Sequence, residues 1–378
     1  MRHKGYESRT LVGMDGPITF RRVRYVCSKT GRSVFPVDEA LDLPSGDVTA
    51  SLARRALRLA TFIGFAELQE ELREQHDVRV TDSTLDTLMR KAGGVAHREQ
   101  QVRVDKLEAA SPGRSREKLV SATRPAPRRM YISCDGITYR TRLRQADSRH
   151  KDRKCLVYQE MKVGRVFWQQ QDGAWQKQVV VGRDGPERFG LSLWELAVQC
   201  GLLDCPEVIF ISDGGVWCQS VAETYFKEAR RILDWYHLSE HIWTAARMLY
   251  PQNEKLMGGW AGGSVYHLHE GGGIGLLHHL ERCRAVRPVQ DAPAIEALLN
   301  YLRPRLAITN YVEYRRRGYV IGSGMMESTC KQVVARRLKG SGMQWSEHGA
   351  LAMTSLIAHR LNGTWSQFWS RRPLQLAA

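Results

Sequence analysis

The sequence predicts an α/β protein, a mixed sheet with helices on its faces and a smaller helical region before it. Three observations carry this. Val208-Ile209-Phe210-Ile211 is an unbroken apolar run, as a strand buried on both faces should be. From residue 130 onward, strand-like and helix-like stretches alternate. Residues 109–129 are rich in Pro, Ser and Arg and read as an exposed basic linker, the main boundary of the chain.

Residues 1–47 read as short strands and turns, with Ile18-Thr19-Phe20 and Val23–Cys27 as extended runs and a turn at Gly31. Residues 48–108 turn helical. Leu52, Ala56, Leu59 and Ile63 recur at helical spacing, then Phe65, Leu68 and Leu72. A third helix begins after Thr81-Asp82-Ser83, whose small polar side chains can cap free amides ahead of Leu85, Leu88 and Met89. Three short helices with a tight connection fit a helix-turn-helix, and equally a plain helical bundle.

Beyond the linker, Met130–Asp135, Leu156–Trp168 and Trp175–Val181 read as strands, with a turn at Gln171-Asp172-Gly173. Phe189–Leu202 is an amphipathic helix, Val208–Ile211 a strand, Val216–Ala229 a helix, Arg231-Ile232-Leu233 a strand and Ser239–Leu249 a helix. Three strands, helix, strand, helix, strand is the element order of a ribonuclease-H-like fold, a mixed five-stranded sheet with flanking helices. It occupies 130–250 and 308–378. Between them, 251–307 is a helical, Gly-rich insertion. Its glycines (Gly258, Gly259, Gly262, Gly263, Gly271, Gly272, Gly273, Gly275) lack a following Lys-Ser or Lys-Thr and a βαβ frame, so they read as loops rather than a phosphate cradle.

At 378 residues there is room for two or three domains. A hydrophobic share of 43% and a charged share of 25% exclude a disordered, collagenous or coiled-coil chain. Lys plus Arg number 56 against 40 Asp plus Glu, a net +16 that favours a polyanionic partner such as nucleic acid. No apolar run reaches the roughly 18–20 residues of a membrane span. The basic N-terminus lacks the apolar stretch of a signal peptide. A cytoplasmic protein with no membrane partner is expected. Its 8 cysteines form no CxxC pair and read as reduced thiols.

Two acids end predicted buried strands and precede glycine, in Asp135-Gly136 and Asp213-Gly214-Gly215. Each alone fits an ordinary turn. Together, on neighbouring strands that open into one crevice, they suit a hard divalent cation, which takes oxygen ligands. The third candidate is Glu327 in Ile-Gly-Ser-Gly-Met-Met-Glu-Ser-Thr (321–329), near the first turn of a helix running to about Leu338, where a carboxylate also suits the helix dipole. Three such acids could hold two ions that clamp the attacking and leaving oxygens of a phosphodiester. Basic residues surround them. Arg140, Arg142, Arg149, Lys151 and Arg153 follow the first Asp, Arg315 and Arg316 precede the Glu, and Arg336, Arg337 and Lys339 follow it. These are candidate phosphate contacts or solvated surface. Trp345, Trp365 and Trp369 are candidates for stacking on bases or for core packing.

Ile-Ser-Asp-Gly-Gly-Val-Trp (211–217), Ile-Leu-Asp-Trp-Tyr-His-Leu-Ser-Glu-His-Ile-Trp (232–243), the 321–329 segment and Arg-Arg-Leu-Lys-Gly-Ser-Gly-Met-Gln-Trp-Ser (336–346) resemble bacterial insertion-sequence transposases of the ISKra type, over nearly the whole chain. The resemblance implies a DDE transposase with Asp135, Asp213 and Glu327 as catalytic, metal-binding acids, using Mg²⁺ or Mn²⁺ as a pair of ions. The second and third acids are 114 positions apart, which implies the helical insertion. Asp234-Trp235-Tyr236-His237 also resembles the Asp-x-x-His signature of Mutator-like transposases, making Asp234 and His237 candidates for site support, with a packed histidine as the other reading of His237. Double-stranded DNA, as element terminal repeats and as target, is the implied partner, with a homo-oligomer at synapsis and a prokaryotic, nucleoid-associated setting. Relatives open with a Cys-pair ribbon. Here only Cys27 remains of its second pair, so 1–47 reads as a degenerate remnant, no zinc is expected, and the sequence reads as a shortened or decayed copy. A catalytically silent DNA-binding derivative and a ribonuclease-H-like nuclease are the alternative readings.

Overall fold

The computed structural model describes residues 1–146, 154–286 and 292–371, apart from residues 42, 44 and 45. Of the basic run after Asp135, Arg149, Lys151 and Arg153 lie outside the described residues. No described helix is long and apolar enough to cross a membrane.

Strands β1 (Arg2–Gly13) and β2 (Gly16–Val26) form an antiparallel ribbon, completed by the two-residue β3 (Ser33–Val34). They are much longer than the short strands expected. Helix α1 (Pro36–Ala40) lies beside the ribbon, where Asp38 pairs with Arg9 at 2.8 Å and with Arg22. Helices α2 (Ala50–Ala60), α3 (Phe65–His76) and α4 (Asp82–Ala109) follow. Thr49 caps α2 by accepting the Leu52 amide, and Thr81 caps α4 by accepting the Thr84 amide. The three expected helices form, but α4 is 28 residues long where a short helix was expected. Its Leu85, Met89 and Ala92 are buried, and it packs along α14 (Glu347–Leu361). At Gly93 a Cβ would stand 2.3 Å from the Ala352 carbonyl oxygen, so a residue without a side chain sets the closest approach.

After the short α5 (Arg114–Glu117) comes the main sheet. It is built from β4 (Met130–Ala146), β5 (Lys154–Gln169), β6 (Trp175–Gly182), β7 (Val208–Ser212) and β8 (Arg230–Leu233) in the order β6-β5-β4-β7-β8. The β4–β5 and β5–β6 pairs are antiparallel, and β4–β7 and β7–β8 parallel. This is the mixed five-stranded sheet expected. Helices α6 (Pro186–Gln199) and α7 (Val216–Tyr225) cover one face, where Cys134, Val166 and Val180 meet Phe189, Leu193 and Cys218. Toward the other face, Tyr139, Met161 and Val163 join one core with α2, α4 and α14. Helix α8 (Trp235–Leu249) follows β8.

The insertion corrects the loop reading of its glycines. Residues 258–275 lie within α9 (Glu254–Val286), a helix broken by the non-helical backbone of Gly272 (φ 63°). Glycine disfavours helix by about 1 kcal/mol per residue, and of these glycines Gly272, Gly273 and Gly275 lie where a Cβ would meet neighbouring atoms. A Cβ at Gly273 would stand 1.9 Å from Thr309 Oγ1, and the Gly273 amide donates to the Thr309 carbonyl at 2.9 Å. The arms on either side of the break meet where His267 stacks on His279. Helices α10 (Ala292–Leu302) and α11 (Tyr311–Arg316) share a core with α8, α9, β7 and β8. Helix α12 (Gly324–Cys330) runs through a π-helical turn (Lys331–Ala335) into α13 (Arg336–Leu338), and α15 (Trp365–Ser370) ends the described chain.

Candidate active site

Asp135 and Asp213 reach one place through strand register. In the parallel β4–β7 pair, Ser133 faces Ile211; Asp135 follows two residues later within β4, and Asp213 two residues later just past the end of β7. Burial holds the Asp135 carboxyl above the ordinary aspartate range, against the opposing hydrogen bond from the Gly136 amide, and the charge of Asp213 adds to the rise. Asp135 Oδ1 accepts that amide at 2.7 Å, and Cys330 Sγ donates to Oδ2 at 3.8 Å. Asp213 Oδ1 accepts the Gly215 amide at 2.8 Å. Gly214 holds φ +81°, and a Cβ there would press within 2.8 Å of Arg305 and Leu233.

The insertion grips this loop. Tyr301 donates its hydroxyl to the Asp213 carbonyl at 2.8 Å, and Arg305 Nη2 donates to the Gly214 carbonyl at 2.9 Å while stacking over the Tyr301 ring. His241 stacks on Tyr301 at 3.8 Å, and His237 lies edge-on to His241 at 4.9 Å. His237 thus sits two rings from the backbone of Asp213, with Glu240 at 4.0 Å from its Nδ1.

Asp234 joins two of the sequence motifs. Buried at the N-terminus of α8, it accepts the Tyr236 amide at 3.0 Å, the Ser323 amide at 3.0 Å and the Ser323 hydroxyl. Ile321 adds a backbone bond, accepting the Trp235 amide at 3.0 Å. Gly322 lies so close to the Tyr236 ring that a Cβ would stand 2.5 Å from it. The segment that starts α12 is therefore fixed by the end of β8.

Glu327 is on the first turn of α12, as expected, but its carboxylate faces outward. Its side chain is 65% exposed and pairs with Lys331 at 2.6 Å. Among the described residues no group of three His, Cys, Asp or Glu side chains is gathered to hold a metal ion. The structure thus brings together Asp135 and Asp213, and places Glu327 one helical turn from Cys330, the residue that touches Asp135.

The candidate basic residues divide. Arg142, Arg316, Arg336 and Lys339 are exposed, and Arg140 is half-buried. Arg316 pairs with Glu313, and Arg336 donates to the Phe62 carbonyl at 3.2 Å. Arg315 donates to the His269 carbonyl. Arg337 corrects its expectation. It is 2% exposed and donates to the Ala60 carbonyl, so it ties α13 to α2 instead of facing solvent. Half-buried Trp345 runs beside β4, exchanging backbone hydrogen bonds with Arg140 and Arg142. Trp365 and Trp369 are core residues.

Sequence reasoning missed Arg165, Tyr301, Arg305 and Cys330. Arg165 is buried under α12, donating to the Met325 carbonyl and, at 2.8 Å, to Thr329 Oγ1; burial lowers its pKa to about 10. A lone Arg in the apolar stretch Met161–Phe167 was a usable signal. Tyr301 and Arg305 gave none, being about ninety positions from the backbone they hold.

Fold and site define an α/β protein whose mixed sheet carries Asp135 within β4, which runs on to Ala146 instead of ending at Asp135 as expected, beside Asp213 just past the end of β7. Residues 2–369 match the model of UPF0236, an uncharacterised protein family, and the chain belongs to it. Among solved structures it is similar to the Drosophila P element transposase strand transfer complex, at 10% identity over 84% of this chain and 93% of that one, with a TM-score of 0.36. Comparison with curated proteins gives no match.

Proposed function

We propose that the protein is a DDE-type DNA transposase of an insertion sequence, of the ISKra type, in which Asp135, Asp213 and Glu327 form a Mg²⁺-dependent phosphoryl-transfer centre. The observation that carries this is the placing of Asp135 on β4 beside Asp213 just past the end of the parallel neighbour β7, where burial and the nearby Asp213 charge raise the Asp135 pKa and so favour a cation. Their oxygens are the hard donors a divalent cation takes, and Mn²⁺ fits the same set. Glu327 completes the set on leaving Lys331. A cation bound there would offset charge on the phosphoryl oxygens and make water or a 3′-hydroxyl a better nucleophile. The chain's own residues hold geometry: Asp234 and Ser323 fix the start of α12, and Tyr301 and Arg305 fix the Asp213 loop. No covalent protein intermediate is involved. Arg142, Arg316, Arg336 and Lys339 offer exposed cations to the DNA backbone.

A second reading, a catalytically silent DNA-binding derivative, is favoured by the outward Glu327. The isosteric Asp213→Asn separates the two. On the transposase reading it abolishes Mg²⁺-dependent cleavage of DNA carrying the element ends and leaves DNA affinity within about twofold. A parent chain that binds but never cuts supports the silent derivative, and cleavage unchanged in the variant removes Asp213 from the centre.

A further inference from the structure

We propose that the open face of the β1–β2 ribbon binds duplex DNA in the major groove, an inference that rests on the DNA-binding reading above and moves recognition from the three N-terminal helices to the ribbon. The strand register sorts the side chains into two unlike faces. Tyr6 opposite Val23, Ser8 opposite Arg21 and Thr10 opposite Thr19 share one face; Glu7 opposite Arg22 and Arg9 opposite Phe20 share the other.

The second face is spoken for. Arg22 pairs with Glu7 at 2.9 Å and with Asp38, Arg9 pairs with Asp38, and the Arg22 guanidinium lies over the Phe35 ring. The carboxylate of this strand pair is therefore neutralised on the covered side. The first face is exposed, with Tyr6 at 63%, and carries hydroxyls, a ring and a guanidinium but no carboxylate. Arg21 lies over the Tyr6 ring at 5.2 Å, and Thr10 and Thr19 share a hydrogen bond at 2.8 Å.

Anchoring and charge agree with this. The turn end of the ribbon is fixed to the body, with the Val12 amide donating to the Asp47 carbonyl at 2.7 Å and the Thr49 amide to the Val12 carbonyl at 3.0 Å. The opposite end carries exposed Arg2 and Lys4, while Arg24 is held on the covered side by Ser33 at 3.1 Å and Glu7 at 3.9 Å. A twelve-residue strand spans roughly 40 Å at about 3.4 Å per residue, near one turn of B-DNA. A two-stranded ribbon fits the roughly 12 Å major groove, where Ser, Thr and Arg read base edges and flanking cations meet phosphates. Helix α3, by contrast, bears Glu67, Glu70, Glu71 and Glu74, and α4 is packed on α14.

The test is equilibrium binding of the full chain to duplex DNA carrying the element ends, across a salt series. Replacing Arg2, Lys4 and Arg21 together by Ser should weaken binding at least about 10-fold near 0.15 M salt. It should also reduce the slope of log affinity against log salt by about two to three. The thermal midpoint should stay unchanged, because all three residues are exposed. Thr10→Val with Thr19→Val should leave the slope intact and narrow the preference for element ends over random duplex. Parent-like affinity and slope in the triple variant overturn the ribbon assignment alone. A parent chain that binds no duplex overturns the transposase reading with it.

Discussion

Asp234 shows how single residues decide the site. Its two oxygens accept three donors, two of them from Ser323, some ninety positions away. Asp234→Ala should cost about 2–3 kcal/mol in denaturant unfolding, through loss of the cap and of partners for buried groups, and should lower cleavage by loosening α12. Asp234→Asn, which keeps the acceptor for the amides, should recover most of the stability. His359 sets an acid limit. Burial, with Arg103 and Arg371 nearby, lowers its pKa to about 4, and the neutral ring stacks on Phe368. Its contribution is present above the unfolded value near 6.5 and is lost as pH falls toward 4, about 3 kcal/mol in all. A stability–pH profile should therefore fall over that range, and His359→Asn should flatten it. Asp135 and Asp213 were legible because each ends an apolar run and precedes glycine. Cys330, Tyr301 and Arg305 were not, because their partners are defined only by the folded chain.

Among the elements, the sheet was the most legible, because β7 is apolar from Val208 to Ile211 and turn residues separate β5 from β6. The helices misled where burial overrode local signals. Gly272 and Gly273 read as a loop, yet Thr309 packs into the space their missing side chains leave. Helix α4 read as a short helix of either a helix-turn-helix or a plain bundle, and it packs along α14, about 260 positions away in sequence. Gly93→Ala tests that contact. The added methyl meets the Ala352 backbone and should cost about 1–3 kcal/mol, measured by chemical denaturation, with no loss of helix content in the residual fold. The π-helical turn just after Cys330 is a rare helix geometry often found at functional sites, and Cys330 itself touches Asp135.

For the molecule as a whole, one core runs from Val48 through Tyr139, Met161 and Val163 to Trp369, joining the N-terminal helices to the sheet and the C-terminal helices. The basic segment 109–129, expected as an exposed linker, is tied to the body, with the Thr123 amide donating to the Gln199 carbonyl at 2.9 Å and Val120 packed on the sheet core. Calorimetry should therefore show the N-terminal helices and the sheet unfolding in one transition; two separated transitions would show that the shared core does not couple them. The net charge of +16 suits a DNA partner, and the account stands or falls on what is done to that DNA. The most direct measurement is strand joining by the unmodified chain, with DNA carrying the ends that flank the gene, a target duplex and Mg²⁺ or Mn²⁺. The account predicts joined products with target DNA at the freed 3′-ends, lost without the cation and lost in Asp213→Asn. Cut DNA that is never joined would contradict it and identify a nuclease instead.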